Sequence, residues 1–336
     1  MARARRSRRS RKRSQRRWLW IPAVLMILIA AGYAGVHALF VAPEQKPGKL
    51  DAVQAVGDAP PEGMTEEEFE TLRSHLERKE SFYTILVSGV DDGNGGSDTN
   101  ILVSVDAANK CIYGVSIPRD TKANINGKNY KINAAYNIGG MEKLAETVSD
   151  QLGIPVDYTV LVDLRGFRAL VDTIKGVDFY IPVDMDYDDP IQNLSIHFPK
   201  GMRHLDGADA LKVVRFRHNN DGTGYGSEDI GRMQTQQDFL KAVAKKILTP
   251  ASLTKLDEFV KIFNEYVETD LSLGNLAWLG GEAISIGPDN IDFSTLPGDW
   301  KSPYIYLNPD ETLALINEHL NPYVEDRLPE DLNLVR

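Results

Sequence analysis

The sequence predicts an α/β fold: one domain built on a central mixed sheet covered by helices, preceded by a single N-terminal transmembrane helix. Three observations carry this. Phe82–Val90, Ile101–Val105 and Cys111–Ile117 are short apolar runs, rich in β-branched residues and of strand length. After them, segments of helical and strand periodicity alternate, as they do where helices cover a sheet. Trp18–Val41 holds 24 residues without Lys, Arg, Asp or Glu, which at ~1.5 Å per residue reach about 36 Å and cross a ~30 Å hydrocarbon layer with some tilt.

Residues 1–17 form a basic tail with ten Arg or Lys and no acid. Basic flanks of a span stay on the cytoplasmic side, so the tail is expected inside and the domain outside. A cleaved signal peptide would have an apolar region of only about 7–15 residues. This run is longer and carries Trp18 and Trp20 at its entry, where aromatic residues sit at membrane interfaces. The span is taken as residues 18–42. Residues 43–64, rich in Pro, Gly, Ala and charge, read as a linker. Thr65 and Glu68 form a capping box ahead of Phe69, Leu72 and Leu76, which opens the extracellular domain, residues 65–325, with an amphipathic helix. Residues 326–336 form a C-terminal tail.

Beyond the three strands, helices are expected over Met141–Leu152 and Phe167–Ile174, each followed by a strand, Tyr158–Val162 and Val177–Val183. Asp184–His197 reads as a surface excursion, Gly207–Lys212 as a short helix and Val213–Arg217 as a strand. Helices over Asp229–Leu248, Leu253–Val267 and Leu273–Ile284, a strand over Ile291–Leu296 and a helix over Glu311–Leu320 complete the domain.

Composition is that of a globular protein, 42% hydrophobic and 26% charged. Ten of the 38 Lys and Arg lie in the tail, so the rest of the chain sets 28 basic against 48 acidic residues, a net charge of −20. An acidic body is a poor nucleic-acid binder, and the positive-inside rule accounts for the tail. The single cysteine, Cys111, excludes an intrachain disulfide and, mid-strand among Ile112, Tyr113 and Val115, reads as a small core hydrophobe.

Three stretches carry candidate chemistry. In Ser116-Ile-Pro-Arg-Asp-Thr121, Pro118 ends a buried strand and delivers Arg119 and Asp120 at its end, with Lys131 close behind. Such charges suit an anionic ligand; a buried Arg-Asp pair pinning the loop is the structural alternative. Asp91-Asp-Gly-Asn-Gly-Gly-Ser-Asp98-Thr99 joins the first two strands. It lacks the Gly-Lys-Ser/Thr ending of a phosphate loop and the Glu at position twelve of a calcium loop. It brings Asp91 and Asp98 to one sheet edge, where two carboxylates suit Mg²⁺; ordinary turn chemistry is the alternative.

The third stretch, Val213-Val-Arg-Phe-Arg217, read as a strand, places Arg215 and Arg217 on one face. Two guanidinium groups side by side need acids or an anion between them, and the guanidinium fork matches phosphate oxygens. In the helix that follows, Asp229, Arg232 and Gln236 fall on one face that continues as Leu240, Val243 and Ile247. That face is polar for two turns and apolar after. An Asp229–Arg232 bridge is the plain alternative.

In this order, Gly-Val-Asp91, Ser-Asp98-Thr99, Ser-Ile-Pro-Arg119-Asp120-Thr121, Lys131-Ile-Asn-Ala-Ala-Tyr136, Leu205-Asp206-Gly207, Val214-Arg215-Phe216-Arg217, Gly231-Arg232 and Gln236-Gln237 make the chain resemble the LytR-CpsA-Psr family of bacterial cell-wall proteins. The resemblance implies an extracellular α/β/α domain on one membrane span. It implies a phosphotransferase that moves a glycopolymer, of teichoic-acid or capsule type, from an undecaprenyl pyrophosphate carrier to peptidoglycan. The partners are then that lipid-linked polymer, peptidoglycan and the cell membrane, with no nucleic acid. The family's Mg²⁺ aspartates fall on Asp91 and Asp98, and its pyrophosphate-binding arginines on Arg119, Arg215, Arg217 and Arg232. Lys131 and Gln236 join the substrate-binding set. Asp98, Arg119, Asp120, Arg217 and Arg232 form the catalytic set, with Asp98 or Asp120 as base. Gly96 and Thr235 stand where family members often carry Arg. Hydrolysis of the carrier at the same site, and a non-catalytic regulator binding polyprenyl phosphates, are the rival functions.

Overall fold

The computed structural model describes residues 40–46, 65, 76–90, 97–190, 194–225, 228–249 and 255–335. The basic tail, nearly all of the expected span, most of the linker and the helix expected between Thr65 and Leu76 lie outside them. Among the described residues no helix is long and apolar enough to cross a membrane. The chain divides into a small unit, residues up to Pro43 with Ser272–Gly280, and a large one, Glu44–Leu271 with Gly281–Arg336. In the small unit the Val41 N–H donates to the Gly274 carbonyl at 3.2 Å and the Asn275 amide to the Val41 carbonyl at 3.0 Å.

The large unit is built on a six-stranded mixed sheet. Its strands are β1 (Phe82–Val90), β2 (Ser97–Asp106), β3 (Cys111–Ile117), β6 (Tyr158–Asp163), β11 (Val267–Thr269) and β12 (Ile291–Thr295), in the order β11-β6-β1-β2-β3-β12. β1 runs parallel to β6 and β3 parallel to β12, while the other neighbours are antiparallel. Alternate side chains of a strand point to opposite faces. Leu86, Leu102, Val115 and Ile117 therefore share one face and are buried with Leu144 and Val148 of α1 (Ala134–Leu152). Val87, Ile101 and Ser116, one residue out of step, point to the other face and floor a cavity.

That second face is covered by α2 (Leu164–Thr173), α3 (Gly207–Arg215) and α4 (Glu228–Ile247) around a second core that includes Val171, Val213, Phe216, Phe239 and Val243. α2 and α3 approach closely at Gly207, where a Cβ would lie 2.2 Å from the Arg168 carbonyl oxygen. Gln237 donates to the Thr295 hydroxyl at 2.8 Å and Lys241 reaches Asp292 at 2.6 Å, fastening α4 to β12. Further helices among the described residues are α5 (Leu256–Tyr266), α6 (Leu273–Ile286) and α7 (Pro309–Leu315), the last running into a π turn at Ile316–Leu320. Residues after Asp326 pack back: Arg327 is buried and pairs with Asp331 at 2.6 Å.

Most expected elements form within a few residues, and the α/β/α layering stands. Val213–Arg217 is a correction. It is the last turn of α3 and the residues beyond it, because burial recurs every three residues at Gly207, Ala210, Val213 and Phe216, a helical stripe. Asp206 caps this helix by accepting the Asp209 N–H at 2.9 Å. Cys111 is a second correction: it opens β3 beside the turn and is exposed. Asp184–His197 forms most of a hairpin, β8 (Met185–Asp189) with β9 (Leu194–Phe198), next to the pair β7 (Val177–Ile181) and β10 (Gly201–Leu205). The polar segment after Arg119 is also a hairpin, β4 (Lys122–Ile125) with β5 (Lys128–Lys131), and a last one joins β13 (Gly298–Lys301) to β14 (Tyr304–Leu307).

Candidate functional site

The cavity holds about 490 Å³ and is lined by residues at the C-terminal ends of β1 and β3 and by α4. Local chemistry puts each charged group there. Pro118 breaks the β3 ladder, and the Thr121 N–H bonds the Pro118 carbonyl at 3.0 Å in a tight turn that presents Arg119 and Asp120. Arg119 lines the cavity. Asp120 lies 2.9 Å from Lys131 and 3.7 Å from the Arg119 guanidinium, so both readings of this segment meet in one place: a pinned loop that also offers a cation to the cavity.

Arg215, the last residue of α3, and Arg217, two residues on in extended chain, both reach the cavity while Phe216 between them is fully buried. The strand expectation failed, yet its functional consequence survives, because the extended backbone at Phe216 gives the same alternation. Arg232 and Gln236 come from α4 with Leu240 one turn further, the polar-then-apolar stripe expected of that helix. Four guanidinium groups from three separate segments thus converge on one cavity.

Supporting contacts join the segments that carry the arginines. Gln236 donates to the Val214 carbonyl at 2.8 Å, tying α4 to the end of α3. Gly231 allows Tyr225 against the first turn of α4, since a Cβ there would lie 2.5 Å from Tyr225 Cβ. Burial pushes the Tyr225 phenol above its ordinary range, with Thr235 and Arg232 pulling the other way, so the ring stays neutral beside Arg232. Away from the arginines the walls are apolar: Ile101, Val162, Leu164, Phe167, Val214 and Leu240.

At the sheet end, Gly89 faces Thr99 and Val90 faces Ser97, so the register passes over Asp98. A bulge of this kind re-aims a residue next to a site. Asp91 and the rest of the glycine loop lie outside the described residues, as do the side chains of Asp98 and Asp229. Backbone placement alone brings position 98 opposite the end of β1, one residue before position 91. The Ser97 hydroxyl and the Asn100 amide nitrogen there are buried with no hydrogen-bond partner among the described residues. By residue type, carboxylates at positions 91 and 98 with the Ser97 hydroxyl are the hard oxygen donors that could hold Mg²⁺.

Lys131 does not line the cavity but stands outside it, on Asp120. Among the lining residues that the sequence analysis did not assign to the site are His218, Tyr187 and Leu194. His218 follows Arg217 and its Nδ1 lies 2.9 Å from the Asn219 carbonyl, which assigns the proton to Nδ1. Tyr187 and Leu194 come from the hairpin taken for an excursion. Asn219 and Asn220 dock on that hairpin, accepting the Asp186 and Asp188 N–H groups at 2.7 and 2.6 Å. The segment after Arg217 is therefore a wall of the cavity. The signal was present in the Asn-Asn pair, whose side chains mimic backbone groups.

Comparison with known proteins gives a consistent result. The profile of the LytR_cpsA_psr family matches residues 54–320. The chain is 32% identical over 247 residues to the polyisoprenyl-teichoic acid–peptidoglycan teichoic acid transferase TagV of Bacillus subtilis, covering 70% of this chain and 61% of that protein. It is 33% identical over 258 residues to the corresponding transferase TagU of Bacillus cereus, covering 75% of this chain and 78% of that one. The crystal structure of B. subtilis TagV superimposes with a TM-score of 0.61 at 29% identity, over 74% of this chain and all of the other.

Proposed function

The chain belongs to the LytR-CpsA-Psr family, and from that membership we propose that it transfers a wall glycopolymer, of teichoic-acid type, from a polyprenyl pyrophosphate carrier to peptidoglycan. One observation carries the reading: a single cavity lined both by four arginines and by aliphatic and aromatic side chains. Pyrophosphate fits the first part and a polyprenyl tail the second. A soluble nucleotide would need only the first.

In this reading Arg119, Arg215, Arg217 and Arg232 hold the pyrophosphate and take up the charge that builds on its oxygens as the bridging P–O bond breaks. A sugar hydroxyl of peptidoglycan attacks the phosphorus that carries the polymer. A new phosphodiester forms, polyprenyl phosphate leaves, and the hydroxyl proton passes to a carboxylate. Asp120 is already held by Lys131 and Arg119, which suits it to orienting the loop, so Asp98 is the base we assign. Mg²⁺ at Asp91 and Asp98 would supply a Lewis acid for the same oxygens. The apolar run at Trp18–Val41 anchors the domain on the outer membrane face with the basic tail inside.

Support comes from the names of the TagV and TagU relatives, both transferases of teichoic acid to peptidoglycan. The test is transfer of labelled, lipid-linked polymer to purified peptidoglycan by the full chain in detergent. Label recovered in peptidoglycan supports transfer. Free polymer phosphate points to a hydrolase, and binding without turnover to a regulator.

A further inference from the structure

A polymer whose pyrophosphate sits on the arginines must leave the cavity over some surface. The two C-terminal strands β13 and β14 supply one. The Ile305 N–H donates to the Asp120 carbonyl at 2.9 Å and Thr121 pairs with Ile305, so this hairpin is docked directly beside Arg119 and Asp120. Strand alternation puts the half-buried Tyr304 and Tyr306 on one face with Lys301, the cross-strand partner of Tyr304, and Ile305 and the buried Leu307 on the other. On the neighbouring hairpin Lys122 is paired with Lys131 and shares its face.

The groups form a continuous strip. Lys131 stands 2.9 Å from Asp120; Lys122 Nζ lies 4.7 Å from the centre of the Tyr306 ring and 6.0 Å from that of Tyr304; Lys301 Nζ lies 5.6 Å from Tyr306. Asp120 and Asp299 are its acids. From Thr121 to Met141 the chain has three lysines and no acid, in a body whose charge after Arg17 is −20. Ammonium groups over phenol rings are a structural feature in themselves. What sets this strip apart is that it begins beside Arg119, which lines the cavity.

We propose that the strip Lys131, Lys122, Tyr306, Tyr304 and Lys301 binds the sugar-phosphate chain of the substrate as it leaves the cavity; this rests on the reading of the cavity given above. Phosphodiester groups complement the ammonium groups, and sugar rings present C–H faces to the tyrosines, so the alternation of charge and ring matches the alternation in such a polymer. A lipid surface fits less well. The strip offers no aliphatic side chain to insert, and Trp300, exposed by 54%, lies on the opposite face of the hairpin with Ile305.

The experiment uses the full chain in detergent and three probes: undecaprenyl phosphate, lipid-free glucosylated poly(glycerol phosphate), and vesicles of phosphatidylglycerol and phosphatidylcholine. In the Lys122→Gln/Lys301→Gln double variant, affinity for the glucosylated polymer should fall about tenfold, the sum expected of two half-exposed charge contacts. Affinity for undecaprenyl phosphate should hold, and Trp300→Ala should change neither. Unchanged polymer affinity in the double variant, with carrier binding intact, overturns the inference alone. So does a loss confined to vesicle binding. Failure of the unaltered chain to bind undecaprenyl phosphate overturns the carrier reading and the inference with it.

Discussion

The side-chain amide of Gln236 donates to the carbonyl of Val214 at 2.8 Å and so fixes the helix that carries Arg232 against the residue preceding Arg215. A residue that the sequence suggests for substrate contact thus also sets the spacing of two cations. Gln236→Leu removes the donor and leaves a carbonyl short of a partner, a cost of about 1–3 kcal/mol. A lowered thermal midpoint together with weaker carrier binding is the expected result. If the midpoint falls and affinity does not, the bond serves stability alone.

Arg217→Ala removes a charge-assisted, two-point contact and should weaken carrier binding by about 1.5–3 kcal/mol. Arg217→Lys should recover only part, because an ammonium keeps the charge and loses the fork. The thermal midpoint of the ligand-free protein should rise on Arg217→Ala, as one of several converging like charges is removed. Unchanged affinity with a lower midpoint would show the arginine to be a structural bridge.

Transfer should require Mg²⁺ and stop in excess chelator. Asp98→Asn should lower kcat/KM by several powers of ten, in line with losing both a metal's electrostatic contribution and a base. Turnover that continues undiminished in chelator would refute the metal assignment.

His197 on β9 sits between Asp186 at 2.6 Å and Asp188 at 3.3 Å. The hydrogen bond its Nδ1–H donates to Asp186 first, and the charges of both aspartates, raise its pKa above the ordinary 6.5. A raised folded-state pKa means that the protonated ring favours the folded hairpin. That stabilisation is complete below the unfolded value of 6.5 and is lost as pH rises through the folded one. Amide exchange in β8 and β9, which carry Tyr187 and Leu194 into the cavity wall, should therefore quicken as pH rises above that range, beyond the intrinsic rate, and His197→Gln should remove the extra dependence. An NMR titration placing His197 below 6.5 would contradict it.

The sheet, its layering and the arginines were legible because each rests on a local pattern: apolar runs of strand length, a proline at a strand end, a stripe along one helix. What stayed hidden was decided by packing. Val213 and Val214 favour a strand by their branching, but burial at every third residue from Gly207 to Phe216 makes them helical. The β4–β5 hairpin did carry a signal: Asn126 and Gly127, at φ 55° and 78°, form the dipeptide that two-residue hairpin turns favour. His218, Tyr187 and Leu194 line the cavity only because the Asn219–Asn220 turn docks on β8, a contact between segments that no periodicity encodes.

Both edge strands of the sheet come late in the chain. β11 covers β6 and β12 covers β3, and each arrives after Leu248, where the recognisable motifs end. A chain stopping there would hold all four arginines yet expose the longer strands β6 and β3 as edges in place of the shorter β11 and β12, and long open edges invite pairing with other molecules. Contacts between residues 111–117 and 291–295 are also long in sequence, and such contacts slow folding. During synthesis, then, the sheet must remain unfinished until nearly the whole length of the chain is available. Premature termination should yield aggregates rather than a smaller working enzyme.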